Sequence, residues 1–249
     1  MVIFQEMNDF QKWYSIFWKT KYYKNNQICY NSAKPKDNKI LLIKQGILSV
    51  QTTNRQGEKT NSEILVAGDI VNIEALKEAR GEWDIPGLIQ YQVVALGLVE
   101  IYEIEKEFLL SHLYVDPRQY HQFFERTIIQ LINVSFSYAI SNKRPQDKIA
   151  WTLFRIAEKV GEQHKKDRNL IILPSFVTQT FVSEMSNTGK SRATEAYRSL
   201  LKNGVLIQRH GHKMIDFKRL LNYLKQEVLS DYSISKATNQ ADESFFKKG

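Results

Sequence analysis

The chain has a single cysteine, Cys29, among 249 residues. One thiol excludes an intrachain disulfide framework, a Cys-x-x-Cys metal site and an iron–sulfur cluster held by several cysteines of the same chain. It suits a reducing cytoplasm, where we expect the protein to reside. Long apolar runs are also missing. No segment approaches the length of a transmembrane helix, and Met1 to Asp9 lacks the basic start and apolar core of a signal peptide, so a membrane partner and export are not expected. The patterns of common catalytic sites are absent too. His112, His121, His164, His210 and His212 form no His-x-x-x-His or Glu-x-x-His pair on a helix, and a His-x-His at a hairpin tip is more often solvated than metal-binding. No dinucleotide fingerprint or nucleophile elbow occurs. Gly189-Lys190-Ser191 has the ending of a phosphate loop, but Glu184 stands where such a loop needs its first glycine. The expectation is a protein with no catalytic residue, no metal and no tightly held cofactor.

What the chain does have is positive charge, unevenly placed. The formal net charge is +8 and the pI about 9.3. Residues 143–230 hold 17 Lys and Arg against 8 Asp and Glu, which accounts for the whole excess, while residues 1–142 are close to neutral. A basic C-terminal module beside a neutral N-terminal one suggests that nucleic acid binds at the C-terminal end, through neutralised phosphates.

The segment from Pro174 to Asp216 gives that suggestion a shape. Val177 to Met185 has helical spacing, with Phe181, Val182 and Met185 on one side, and Ser186-Asn187-Thr188-Gly189 interrupts it with turn residues. A second helix is expected from Lys190 or Ser191 to Asn203, stopped by Asn203-Gly204. Its inner stripe reads Ala193, Tyr197, Leu200 and Leu201; its outer face carries Lys190, Ser191, Arg192, Glu195, Arg198 and Lys202. Val205 to Ile207 and Met214 to Phe217 flank Arg209-His210-Gly211-His212-Lys213, an apolar–basic–apolar pattern that suits a hairpin with a basic tip. Turn, basic helix and hairpin in this order describe a winged helix-turn-helix. Residues near the start of a helix in the major groove approach the base edges most closely, which makes Ser191, Arg192, Thr194 and Glu195 the candidate base readers.

Upstream, Phe10 to Tyr23 has helical spacing in its aromatics and is expected to be a leading helix. From Gln27 to about Glu105 the texture changes to short runs, Ile40–Ile43, Gly46–Thr53, Ser62–Val66, Ile70–Ile73, Ile89–Ala95 and Val99–Ile104, separated by turn signals. Such spacing points to a compact barrel or sandwich. Pro117 then opens a helix to about Ser141 whose stripe includes Tyr120, Phe124, Ile128, Leu131, Ile132, Ser135 and Tyr138. A helix this long with an apolar stripe is expected to pair with a copy of itself, giving a homodimer. Another amphipathic helix follows at Ile149–Val160, then a polar connector at Gly161–Asn169, and after the hairpin a last helix at Leu220–Leu229. The polar tail has little to bury. The domain reading is therefore 1–116 for a barrel with its leading helix, 117–142 for the dimerisation helix, 143–230 for the winged helix-turn-helix and 231–249 for the tail.

This order of elements resembles the Crp/Fnr family of bacterial transcription regulators. The likeness spans roughly Ile28 to Phe217 and rests on three stretches. Leu41 to Val50 around Gly46 is similar to the family's strand-Gly-strand element, and Ile64 to Val71 to its Gly-Asp turn. Ser191-Arg192-Ala193-Thr194 with Leu200 to Ile207 is similar to its recognition helix and the exit into the wing. The polar turn Ser186 to Ser191 and the absence of nucleotide-binding residues look most similar to the PrfA-like branch. The resemblance implies an α+β fold: a cyclic-nucleotide-binding-like β-barrel (jelly roll), a long dimerisation helix and a C-terminal winged helix-turn-helix. It implies an activator that binds a palindromic double-stranded DNA operator as a homodimer and engages RNA polymerase. The family's cyclic-nucleotide binders hold the phosphate with an Arg-Ser or Arg-Thr pair; Asp69 to Leu76 and Trp83 to Leu88 supply none, so cyclic AMP is not expected, and any small effector is unidentified. Cys29 is a minor candidate for redox sensing. Tyr197 stands where the family often has a second arginine, and with Lys190, Arg198, Lys202, Arg209, His212 and Lys213 it is assigned to phosphate contacts. The alternative is a ligand-sensing or scaffold protein whose C-terminal domain contacts protein rather than DNA.

Overall fold

The computed structural model describes residues 18–34, 38–53, 57–76, 90–115, 117–209 and 211–228. It divides into two compact units, Met1–Val134 and Ser135–Gly249. The fold class is α+β throughout.

The described residues of the first unit form seven strands: β1 (Trp18–Tyr23), β2 (Ile28–Asn31), β3 (Lys39–Gln45), β4 (Ile47–Thr53), β5 (Lys59–Val66), β6 (Tyr91–Ala95) and β7 (Val99–Glu105). They form two antiparallel sheets, in the orders β1-β7-β3 and β2-β6-β4-β5. β3 explains how these pack. Its run Ile40-Leu41-Leu42-Ile43 is buried on both faces, because alternate side chains of a strand point to opposite sides. Leu41 and Ile43 enter the core between the sheets, with Cys29, Tyr30, Leu48, Leu65, Val93 and Ile101. Ile40 and Leu42 enter a second cluster with Ile70, Ala75, Ile104 and Leu109, under the helix α1 (Lys106–Val115). Gly46 turns β3 into β4 at φ 102°, and a Cβ there would stand 2.6 Å from the Leu98 carbonyl oxygen. Only glycine fits.

Two expectations for this unit are corrected. The aromatic segment read as a helix is a strand over Trp18–Tyr23, paired with β7 from Trp18↔Ile104 to Tyr23↔Val99; Phe10 to Phe17 lie outside the described residues. Trp, Thr and Tyr, which make up four of its six residues, favour strands, and Lys21 adds an ion pair to Glu103 at 2.7 Å. The run Ile70–Ile73 is a single bridge, Leu42↔Ile70, followed by a 3-10 turn at Ile73–Leu76. The fully buried Asn72 ends the pairing: its Oδ1 accepts from the Leu41 N–H at 2.8 Å and its Nδ2 donates to the Lys39 carbonyl at 2.8 Å. One side chain thereby satisfies the backbone groups a longer strand would have used. α1 has no counterpart in the sequence reading.

The long helix α2 (Pro117–Ala139) ends in a 3-10 turn, Ile140–Asn142. In the second unit come α3 (Pro145–Val160), α4 (Gln179–Met185), α5 (Lys190–Lys202) and α6 (Phe217–Tyr223), which continues as a π turn over Leu224–Val228. α3 buries Ile149, Leu153 and Ile156, as its spacing requires, and Pro145 sits in its first turn, where a missing N–H costs nothing. The Gly161–Asn169 connector departs from expectation: Glu162–Gln163 forms β8, which pairs with β9 (Leu170–Ile172). β9 in turn pairs with β11 (His212–Asp216), partner of β10 (Leu206–Arg209), so the expected hairpin is one half of a four-stranded sheet, β10-β11-β9-β8. An aromatic series Phe136, Trp151, Phe154, Phe217, with centroids 4.8, 5.4 and 5.8 Å apart, joins the last turns of α2 to α3 and α6. Ser137 Oγ accepts from Trp151 Nε1 at 3.1 Å and Arg155 Nη1 at 2.8 Å.

Candidate nucleic-acid interface

The turn between α4 and α5 is held by its own hydroxyls. Ser183 Oγ donates to the Thr188 carbonyl at 2.5 Å, Ser186 Oγ to the Ser183 carbonyl at 3.1 Å and Thr188 Oγ1 to the Ser186 carbonyl at 3.2 Å. Asn187 takes φ 46°, a left-handed conformation that asparagine tolerates better than most residues. Lys148 of α3 donates to the Asn187 carbonyl at 3.1 Å. α4 begins on Thr178, whose hydroxyl accepts from the Phe181 N–H at 3.1 Å.

α5 buries Ala193, Ala196, Tyr197 and Leu200 against α3 and α4. Ala196 replaces Leu201 in the expected stripe, and Leu201 is exposed. Ser191, Arg192 and Glu195 are exposed together with Lys190, Arg198 and Lys202. Four cations and one carboxylate therefore share the outer face, and none of the four cations is ion-paired among the described residues. Thr194 is half-buried: its hydroxyl accepts from Gln179 Nε2 at 2.8 Å and donates to the Lys190 carbonyl at 3.0 Å.

One phosphate assignment, Tyr197, needs correction. Tyr197 is buried, 6% exposed, and its hydroxyl has no partner among the described residues; burial raises its pKa. A phosphate outside the protein cannot reach it. Lys213 is half-buried, donates to the Val177 carbonyl at 3.0 Å, and has its pKa lowered by burial. It ties the wing to the lead-in of α4. Arg209 and His212 are exposed on the wing, and His210 lies outside the described residues.

On α2, Phe124, Ile128, Leu131, Ile132 and Tyr138 are exposed apolar side chains, with Ile129 beside them and Ser135 also exposed. Ile129 was not in the expected stripe. The side chain of Tyr120 lies outside the description. Arg126 of the same helix donates to the Ala67 carbonyl at 3.1 Å, and its guanidinium fills the space where a Cβ of Gly68 would stand.

Cys29 is buried, its Sγ donating weakly to the Gln27 carbonyl at 3.7 Å, and burial pushes the thiol up to about 12. Redox sensing needs an accessible thiolate, so that minor role is withdrawn. Where the resemblance locates a cyclic-nucleotide cassette, Glu74 accepts from Tyr30 Oη at 2.6 Å and Tyr91 Oη at 2.5 Å, and burial with this bond raises the Tyr91 pKa. Residues 83–88 of that region lie outside the described residues. Among the described residues no group of three His, Cys, Asp or Glu is placed to hold a metal ion, and no helix is long and apolar enough to cross a membrane.

No protein-family model matches the chain, and no curated protein matches it. Solved structures do. A cyclic nucleotide-binding domain containing protein from Listeria monocytogenes EGD-e is similar at TM-score 0.66 and 19% identity, over 82% of this chain and 92% of that one. The c-di-GMP responsive global regulator CLP of Xanthomonas campestris is similar at TM-score 0.62 and 14% identity, over 82% and 96%. A CRP/FNR-family transcriptional regulator from Thermus thermophilus is similar at TM-score 0.59 and 14% identity, over 84% and 100%. With an N-terminal β-sandwich, one long helix and a C-terminal helical unit completed by a small sheet, the chain has the fold of the CRP/FNR regulators.

Proposed function

We propose that this chain is a sequence-specific DNA-binding transcription regulator of the Crp/Fnr type. One observation carries the reading: the exposed face of α5 presents Lys190, Ser191, Arg192, Glu195, Arg198 and Lys202 while its other face is fixed against α3 and α4. A helix packed on one face, whose cations at start and end have no ion pair among the described residues, is suited to the major groove, its first turn toward the bases and its later cations toward phosphates. Arg192 can make a bidentate contact to guanine, with Ser191 and Glu195 beside it. Arg209 and His212 on the wing extend the phosphate set. The exposed apolar face of α2 supports a homodimer, whose two α5 helices would lie about 34 Å apart on a palindrome. Several of the similar solved structures are of transcription regulators, which supports the same reading. We place the chain in the PrfA-like branch, acting as an activator with RNA polymerase and without cyclic AMP or enzymatic activity. The domains are read as 1–116, 117–142, 143–230 and the tail.

The test is fluorescence anisotropy of the protein on random and genomically selected duplexes across a salt series, beside Arg192→Ala. The expected result is tight, salt-steep, sequence-selective binding that the variant loses, with about 1–3 kcal/mol of base discrimination removed. No binding at low salt would support the scaffold alternative instead.

A further inference from the structure

Among the described residues, Thr194 is the one candidate base reader whose polar atom is already engaged within the protein. A hydroxyl has one hydrogen to donate and two lone pairs with which to accept. Here the hydrogen goes to the Lys190 carbonyl one helical turn back, at 3.0 Å, and a lone pair receives Gln179 Nε2 at 2.8 Å. Gln179 is the first residue of α4, directly after the Thr178 cap, so its amide is anchored on a different helix from the one it constrains. Bonds to two helices oppose rotation of the threonine about χ1.

Resting on the DNA-binding reading above, we propose that Thr194 reads DNA through its methyl group, by contact with a thymine methyl, and that Gln179 is the positioning residue that imposes this mode. A donating hydroxyl would select guanine or adenine N7, guanine O6 or thymine O4; a hydroxyl whose hydrogen is held by the helix backbone does none of these. The hydroxyl keeps one lone pair, which can accept only from an adenine or cytosine amino group; the methyl has no hydrogen-bonding commitment, and apolar contact with the C5-methyl of thymine is a recognised mode of major-groove readout. The readout at this base step is then set jointly by the two helices of the motif. The tempting inference from residue type alone, a threonine hydroxyl bonding a base, is reversed by the position of a glutamine 15 residues earlier.

The experiment exchanges single methyl groups on both sides. Operators selected by the wild-type protein are resynthesised with deoxyuridine replacing each thymine in turn, and binding is measured for wild type, Thr194→Val, Thr194→Ser and Gln179→Ala. One thymine per half-site is expected to weaken wild-type binding about fourfold when it loses its methyl, the effect of one buried methyl group. Thr194→Val, which keeps a methyl and lacks the hydroxyl, retains that sensitivity. Thr194→Ser, which keeps the hydroxyl and lacks the methyl, is blind to the exchange. Gln179→Ala loses most of the thymine preference at this step while the salt dependence stays as in wild type, which a merely structural role for Gln179 would not produce. The proposal is overturned if every uracil exchange is tolerated by wild type, or if Thr194→Val loses the preference and Thr194→Ser keeps it. Failure of the wild-type protein to bind any duplex would overturn the regulator reading itself, and this inference with it.

Discussion

Replacing Arg144, a mostly exposed residue, should destabilise the second unit more than neutralising its buried partner Asp147. Asp147 has a side chain only 2% exposed, against 64% for Arg144. Its carboxylate accepts from Arg144 Nε at 3.0 Å, from Arg144 Nη2 at 3.2 Å and from Tyr223 Oη at 2.5 Å. Arg144 also donates to Glu227 at 2.7 Å, so the cluster joins the start of α3 to α6 and the π turn behind it. The bond to Asp147 and the one to Glu227 raise the Arg144 pKa, and burial with the bond to Asp147 raises that of Tyr223. In Asp147→Asn the charge leaves the interior, Tyr223 keeps an acceptor, and the stranded guanidinium is wet and still paired to Glu227. The cost is the charge-assisted bonds alone, about 2 kcal/mol. In Arg144→Ala the buried carboxylate remains with Tyr223 as its one side-chain donor among the described residues, and an under-compensated buried charge costs about 3 kcal/mol or more. Urea titration monitored by hydrogen exchange over Phe217–Val228 measures both locally, without assuming that the two units unfold together. If Arg144→Ala proves the milder change, or if both fall below about 0.5 kcal/mol, a surface ion pair of ordinary worth describes the cluster and the argument from burial is wrong.

Tyr197→Phe removes a buried hydroxyl that has no partner among the described residues, and is expected to leave stability unchanged or raise it by up to about 1 kcal/mol; thermal unfolding measures this, and unaltered operator affinity would separate a core tyrosine from a phosphate contact. Cys29, with its thiol pushed up to about 12 from an ordinary 9.0, should react with iodoacetamide at pH 8 far more slowly in the native protein than in urea. Because its folded value is raised, the stabilisation linked to this thiol is fully present below pH 9 and is lost as pH rises from 9 toward 12. Native reactivity equal to that of the unfolded chain would contradict the burial.

The two-helix motif was legible because its grammar is local. Ser186-Asn187-Thr188-Gly189 satisfies its own backbone through three hydroxyl bonds, and the Lys190–Lys202 helix needs only its spacing and its stop signal at Asn203-Gly204. The run Ile40–Ile43 was equally plain, since four successive apolar residues in a strand require cover on both faces. What sequence reading missed has a common origin. The helical spacing of Phe10, Trp13, Tyr14 and Phe17 suggests a helix on to Tyr23, but Trp18–Tyr23 pairs with β7 as a strand; Glu162–Gln163 has no local signal at all and is a strand because β9 lies beside it. Between Ala196 and Leu201 the larger side chain has the stronger apolar signal, yet the packing of α5 on α3 turned the alanine inward. Tyr197 and Thr194 show the same division in chemistry. Their types place a hydroxyl near the DNA-facing helix, but burial removes one from any phosphate and Gln179 occupies the other. For the two-helix motif the sequence by itself determined helix, turn and basic face, because those depend there on neighbours within a few residues. The tertiary structure alone decided which polar atoms remain free to bind, because that depends on partners the chain brings together only when it folds.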